Sequence, residues 1–342
     1  MSRTEASPDS LRVTLGTRLF RVLTALWAWL FLILLVAFFE VWSHVAYHST
    51  FIARIANIQS ILLATTQTLL LAEGLTFVIV AGGIDLSIAF VTGFASVISA
   101  LLMQSLVHWP AGIAFAVATV GGLLASVVPG LINGLLVARF AVPSFIGTLG
   151  MYGVAQGIAY LVSQGATVPI DNPVAVTMGN GTFLLLPIPA LIAIVVTIFL
   201  HYLLTNTRFG TYTYAMGGSM EAAVRAGINV NRQTMWLFVL SALTSGLAGI
   251  IYTGRFSAGA AQAGEPTLLN AVAAVFIGGA SLTGGFGTIL GTVIGSLIIA
   301  VIQFGLVFID VQPYWQFVSV GIVIIMAVMI DQYRARMTPK GK

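Results

Sequence analysis

The chain has 342 residues, of which 58% are hydrophobic and only 7% are charged. An average soluble domain carries about 25% charged residues, so this composition cannot cover a water-soluble surface. The net charge of +4 comes from basic residues in loops and tails, a placement that indicates membrane topology rather than nucleic-acid binding. Cysteine is absent, which excludes disulfides and thiolate metal sites.

Apolar stretches fill most of the chain and are separated by glycine, proline, asparagine or charged residues. At roughly 20 apolar residues for each crossing, they predict an all-α integral membrane protein with about ten transmembrane helices. The eighth predicted span is the weakest, because it is short and interrupted by glycines. The predicted spans are 22–45, 58–80, 85–107, 111–138, 144–163, 186–204, 234–253, 268–283, 288–309 and 315–331.

The basic residues predict the orientation, since cytoplasmic loops hold the excess of Lys and Arg. With both termini in the cytoplasm, only Arg54 and Arg255 of the 14 basic residues fall outside. Residues 1–21 are then a cytoplasmic N-terminal tail, 22–332 a single transmembrane domain, and 333–342 a cytoplasmic C-terminal tail. An odd number of spans or a reversed orientation would destroy this agreement.

Catalytic motifs are missing from the sequence. The two lysines, Lys340 and Lys342, lie at the very end, so no G-x4-G-K-[ST] phosphate loop exists and the chain has no ATP site of its own. Glu40, His44 and His48 are spaced four apart and share a helix face, where they can bind Zn²⁺ in a membrane enzyme. The outer membrane interface explains the trio without a metal, because polar tips reach water there. We therefore predict no metal site.

Two carboxylates fall within or beside predicted spans, where their cost makes them functional candidates. Glu73 lies in the middle of the second span and either lines a polar path or is hydrogen-bonded between helices. Asp85 belongs to an inner turn with Gly82, Gly83 and Ser87, and capping of the third span explains its presence. The alternative is a proton-coupled secondary transporter that uses Glu73 or Asp85 as a relay.

A weak internal echo links Val78–Ser87 with Val275–Gly284. Both segments fall at a cytoplasmic turn between two predicted spans. The echo hints at a duplicated unit of the kind that many transporters contain.

The loop at 205–232 is the longest polar segment between spans, and it faces the cytoplasm in the predicted topology. Within it, Ser219 can cap a short helix, Glu221 meets the positive N-terminal end, and Gly227 stops the helix. Such a helix suits insertion into a groove on another protein. A surface helix lying along the membrane is the alternative interpretation.

This segment resembles the cytoplasmic coupling motif of ABC importer permeases, which is Glu-Ala-Ala followed by three residues and Gly. From about residue 57 to residue 330 the chain resembles the ribose-type, carbohydrate-specific branch of bacterial ABC permeases. Ser144 stands where family members more often have proline, and Ile88-Ala89 where they more often have Val-Gly. The matching motifs are Glu221-Ala222-Ala223 with Gly227, Gly82 to Ser87, Asn133-Gly134, Val142 to Gly150, and Gly278 to Gly287.

The resemblance implies a multi-pass protein of the bacterial inner membrane, with a fold similar to the vitamin B12 importer permease. It implies half of a translocation path for a pentose, hexose or related polyol delivered by a periplasmic binding protein. The other expected partners are a second permease copy or paralogue and a cytoplasmic ABC ATPase docked on the Glu221 helix. ATP and Mg²⁺ bind to that ATPase, and no cofactor is expected on this chain.

Polar and aromatic side chains in the middle spans are our candidates for the sugar path, because sugars need hydrogen-bonding groups and aromatic faces. Each of them can equally bridge neighbouring helices. The candidates are Asn133, Phe145, Thr148, Gln156, Asn270 and Gln303.

Overall fold

The computed structural model describes the backbone of residues 8–337 and the side chains of 27–326, 328 and 329. The ends of both predicted tails, including Lys340 and Lys342, lie outside the described residues. Over the described range the chain forms α1 (Pro8–Tyr47), α2 (Ile55–Val80), α3 (Ile88–Ser105), α4 (Ala111–Ala138), α5 (Ser144–Val162), β1 (Val168–Pro169), α6 (Pro173–Asn180), β2 (Thr182–Phe183), β3 (Leu186–Pro187), α7 (Ile188–Asn206), α8 (Arg208–Gly218), α9 (Met220–Arg225), α10 (Val230–Phe256), β4 (Ala258–Gly259), α11 (Glu265–Ile277), α12 (Ile289–Phe308) and α13 (Tyr314–Met337).

Eight of the described helices are long and apolar enough to cross a membrane. They correspond to the first seven predicted spans and to the ninth, which confirms the all-α membrane class. The first helix begins at Pro8, so residues 8–21 of the predicted tail continue the first span as helix. The described apolar part of the last helix is shorter and runs from Tyr314 to Met326. The total of ten spans and the orientation of the termini stay predictions.

The structure corrects the eighth predicted span, 268–283. Its helix, α11, has 13 residues and ends at Ile277. At 1.5 Å per residue it is about 20 Å long, which is less than the roughly 30 Å of a bilayer core. Residues 278–283 form a turn instead, because Gly279 has a φ of +89° that ends the helix.

The segment that precedes α11, residues 257–264, is not helical and is mostly buried. Ala260, Ala261 and Ala263 in this segment are almost fully buried. Ser96 of α3 accepts a hydrogen bond from the Ala260 N–H at 3.2 Å, and β4 pairs with β1 in an antiparallel ladder. Irregular backbone is tolerated at membrane depth only where the protein itself satisfies its polar groups, as happens here.

The helices divide into an inner group and an outer group. Most residues of α2, α3, α10 and α12 are buried, whereas α1, α4, α5 and α7 expose most of their apolar side chains. An apolar surface of this kind is stable only in contact with lipid or with another apolar protein surface.

Candidate functional site

The predicted short helix of the 205–232 loop is present as α9. The Ser219 hydroxyl accepts a hydrogen bond from the Ala222 N–H at 3.3 Å, which caps the first turn. The helix ends where Gly227 adopts a φ of +80° and the Ile228 N–H reaches the Ala223 carbonyl at 3.1 Å. Glu221 and Arg225 lie 3.6 Å apart, and both side chains are more than 80% exposed.

One face of α9 is anchored and the other is free. Ala223 is buried against the bundle, while the apolar side chains of Met220 and Val224 are exposed beside Glu221. The exposed Glu221–Arg225 pair stabilises the helix by well under 1 kcal/mol, so stability does not account for this arrangement. The free face of α9 combines charge with apolar surface, as a protein-docking helix does.

Helix α8 connects α9 to the turn that ends α2 and to the turn before α12. Tyr214 donates a hydrogen bond to the Gly287 carbonyl at 2.6 Å, and burial raises the pKa of its phenol. A β-carbon on Gly217 would collide with the Val80 carbonyl and the Gly285 N–H. Those two groups are themselves bonded at 2.8 Å, so the end of α2 and the turn before α12 meet directly under Gly217. We call this contact the glycine junction.

The turns that end α2 and α11 have the same backbone geometry. Gly82 and Gly279 have φ values of +88° and +89°, which only glycine adopts without strain. The N–H groups of Gly82 and Gly83 bond to the third and fifth preceding carbonyls, and those of Gly279 and Ala280 do the same. The weak sequence echo between these segments therefore corresponds to a repeated helix-ending turn.

Asp85 lies at the centre of a buried hydrogen-bond cluster below the first turn. One oxygen accepts from the Ser87 N–H at 3.0 Å and from the Ser87 hydroxyl at 2.6 Å, and the other accepts from the Ser241 hydroxyl at 2.8 Å. The Asn133 amide donates to the Ser87 hydroxyl at 2.9 Å. Asp85 and Ser87 together thus join α3, α4 and α10, which favours a structural role for Asp85 over a proton relay.

Ser144, which departs from the usual family residue, also fastens this turn. Its hydroxyl accepts a hydrogen bond from the Ile84 N–H at 3.1 Å, and the Thr148 hydroxyl accepts one from the Leu86 N–H at 3.1 Å. A proline at 144 has no hydroxyl and cannot accept the first of these bonds. The first turn of α5 is therefore tied to the segment that contains Asp85.

Glu73 is fully buried in the middle of α2. Its Oε1 accepts a hydrogen bond from the Thr197 hydroxyl at 2.5 Å, while Oε2 has no partner among the described residues. Of the two interpretations of Glu73, this contact favours a hydrogen bond between helices over a polar path.

The six candidates for the sugar path do not form one site. Asn133 and Thr148 belong to the Asp85 cluster, Phe145 is about half exposed on α5, and Gln156 is partly exposed on the same helix. Only Asn270 and Gln303 come together, and they line a cavity of about 320 Å³ at the other end of the bundle.

That cavity contains polar residues that we did not predict to be functional. Gln67, Glu265 and Gln316 line it, and so does Arg255. A signal for Arg255 was present in the sequence, because it is one of the two basic residues that break the positive-inside pattern. Gln316 gave no signal, since a polar residue near a span end is ordinary.

The Glu40 trio does not gather around a common point. Oε2 of Glu40 accepts hydrogen bonds from the N–H groups of Phe51 and Ile52, both at 2.9 Å, and so closes the turn after α1. Across the part of the chain that the structure describes, no three His, Cys, Asp or Glu side chains cluster closely enough to hold a metal ion.

Known proteins with similar sequences are transport permeases. The family model described as branched-chain amino acid transport system, permease component, matches residues 57–328. The L-arabinose ABC transporter permease protein AraH of Azospirillum brasilense is 36% identical over 278 residues, which cover 81% of this chain and 80% of that protein. The ribose import permease protein RbsC of Haemophilus influenzae is 36% identical over 281 residues, covering 81% and 85%.

A third similar protein, the D-allose transport system permease protein AlsC of Escherichia coli K12, is 34% identical over 276 residues, covering 81% of this chain and 83% of that protein. No solved structure gives a significant match.

Proposed function

The chain belongs to the branched-chain amino acid transport system permease family, and from that premise we propose that it is the membrane permease subunit of a sugar importer. It is a multi-pass protein of the bacterial inner membrane. Its substrate is a pentose, hexose or related polyol, in keeping with the arabinose, ribose and allose permeases that it resembles.

The observation that carries the proposal is the attachment of α9. The helix presents Glu221 outward while Ala223 anchors it to the bundle. Through α8 it is joined to the end of α2 and to the loop before α12, which meet at the glycine junction. A partner that moves α9 therefore moves the end of α2 and the loop between α11 and α12 as well.

The attachment of α9 supports a transporter with three kinds of partner. A cytoplasmic ABC ATPase docks on α9, and ATP and Mg²⁺ bind to that ATPase. A second permease copy or paralogue completes the path, and a periplasmic binding protein delivers the sugar. ATP binding moves α9, and the two permeases switch between outward and inward access as rigid bodies, in a fold of the vitamin B12 importer type.

Reversal of the Glu221 charge tests the docking assignment. In cells with the complete transporter, Glu221→Lys should leave membrane insertion intact and abolish uptake of radiolabelled sugar, because the ATPase no longer engages α9. Asp171→Lys makes the same charge change on an exposed side chain between α5 and α6, and should leave uptake normal. Normal uptake by Glu221→Lys would show that the ATPase docks elsewhere.

A further inference from the structure

The cavity opposite the glycine junction is lined mainly by polar side chains. It lies between the middle of α2, the end of α10, the first halves of α11 and α13 and the second half of α12, and it has a volume of about 320 Å³. It adjoins a second cavity of about 260 Å³ that shares Arg255, Gln303 and Gln316 with it. The first volume is at the lower end of the range found for ligand pockets, about 300 to 1,000 Å³. The charged and carboxamide side chains of its lining are Gln67, Arg255, Glu265, Asn270, Gln303 and Gln316.

Much of the hydrogen-bonding capacity of this lining is unused. Among the described residues, the side chains of Glu265, Gln303 and Gln316 have no hydrogen-bond partner in the protein. A guanidinium has five N–H donors, and Arg255 uses one of them, to the Leu63 carbonyl at 3.3 Å. Gln67 donates its amide N–H to the Ala263 carbonyl at 2.8 Å, which leaves its oxygen free. These groups are available to a ligand.

The charges in the cavity favour a neutral ligand. Arg255 and Glu265 contribute one positive and one negative charge, and they form no ion pair with each other in the described structure. The other polar groups are carboxamides and hydroxyls, which donate and accept equally well. Phe317 adds an aromatic ring to the lining. A sugar or polyol matches this chemistry, since its hydroxyls need paired donors and acceptors and its C–H face packs on an aromatic ring.

An amino-acid zwitterion is the rival ligand, because Arg255 and Glu265 can bind its carboxylate and ammonium groups. It would leave most of the four carboxamides without a ligand partner. Asn270 is buried and the three glutamines are half-buried, so each would lose water contacts that the ligand does not replace. A polyhydroxylated ring can use all four. The lining therefore fits a monosaccharide better than an apolar amino acid.

Helices α2 and α11 run from this cavity toward the end of the molecule that carries the glycine junction and α9. Helix α2 carries Gln67 in the cavity and ends at Val80 in the glycine junction. Helix α11 carries Glu265 and Asn270 in the cavity and ends at the Gly279 turn. A displacement at the junction reaches the cavity directly along α2, and it reaches α11 through the loop that contains Gly285.

We propose that this cavity is a binding site for one neutral monosaccharide or polyol within the permease itself. The proposal rests on the proposed function, of which it would be the substrate site. Ligand exchange there must be fast, so we expect weak affinity.

Binding to the purified full-length chain in lipid nanodiscs provides the test, with saturation-transfer NMR as the measurement. The probes are D-ribose, L-arabinose, D-allose, L-leucine and ribose 5-phosphate. At least one neutral sugar should bind saturably, and Gln303→Leu combined with Gln316→Leu should weaken binding about tenfold or more. Gln312→Leu is the matched control, because Gln312 is exposed nearby and lines neither cavity. Its affinity should not change.

Uptake by cells that contain the complete transporter separates this proposal from the proposed function. The double variant should raise the KM for uptake about tenfold while the amount of protein in the membrane stays normal. Sugar uptake with an unchanged KM would overturn the cavity assignment and leave the importer function intact. Preferential binding of L-leucine or ribose 5-phosphate would overturn the ligand class. Absence of any sugar uptake by the unmodified transporter would overturn the proposed function itself.

Discussion

The two ends of the helix bundle differ in how their polar groups are used. At the glycine junction, backbone meets backbone: the Val80 carbonyl is bonded to the Gly285 N–H, and Gly217 packs on both. At the opposite end, the side chains of Gln303 and Gln316 line a cavity and have no partner among the described residues. In our proposals, the first end transmits the movement of α9 and the second end binds the ligand.

This difference follows from side-chain size. Glycines allow main chains to touch, so a displacement passes between elements without being absorbed by rotation of side chains. Amides at the other end leave space that water or a solute fills. Four substitutions test the junction side of this comparison and the rival relay hypothesis, from the largest expected effect to the smallest.

Gly217→Ala should produce the largest effect. Its new β-carbon meets backbone atoms of Val80 and Gly285, so the turns must separate, at a cost of about 3 kcal/mol or more. Sugar uptake should fall more than tenfold, measured at equal amounts of protein in the membrane. The neighbouring Gly218→Ala is the control, since nothing lies within 4 Å of its β-carbon. Equal uptake by the two variants would mean that the junction transmits nothing.

Asp85→Ala should destabilise the same end without filling any space. It leaves the hydroxyls of Ser87 and Ser241 without their acceptor, which costs about 2 to 3 kcal/mol. Thermal unfolding in detergent should show a clearly lowered midpoint. Asp171→Ala, at an exposed position, should leave the midpoint unchanged. An unchanged midpoint for Asp85→Ala would contradict the structural role of Asp85 and favour the relay hypothesis.

Tyr214→Phe tests the side-chain hydrogen bond between α8 and the loop before α12. Loss of the hydrogen bond to the Gly287 carbonyl should cost about 1 kcal/mol and slow uptake a few-fold. Tyr212→Phe changes a tyrosine of the same helix whose hydroxyl has no partner among the described residues. A slower rate in Tyr212→Phe as well would attribute the effect to α8 in general.

Glu73→Gln should have the smallest effect, because the amide oxygen can still accept the hydrogen bond from Thr197. Uptake should stay within about twofold of normal and should stop on depletion of ATP. Uptake that survives ATP depletion but collapses with an uncoupler, and is lost in Glu73→Gln, would establish the proton-coupled alternative.

The sequence determined the membrane class and most of the helices, because hydrophobic spacing and helix-ending residues act locally. It also located α9, since Ser219, Glu221 and Gly227 specify a short helix through contacts within a few residues. The eighth span was wrong as a single crossing helix. Its apolar composition is that of a span, but the polar backbone before α11 is satisfied by distant Ser96, which no local pattern reveals.

Only the tertiary structure decided which polar residues belong together. The sequence predicts one sugar path that contains Asn133, Thr148, Asn270 and Gln303. The fold places the first two near Asp85 and the last two in the cavity. The contacts that separate them join residues far apart in the chain. Hydrophobic periodicity fixes where a helix lies along the sequence, whereas the packing of helices against one another fixes which of its faces meet.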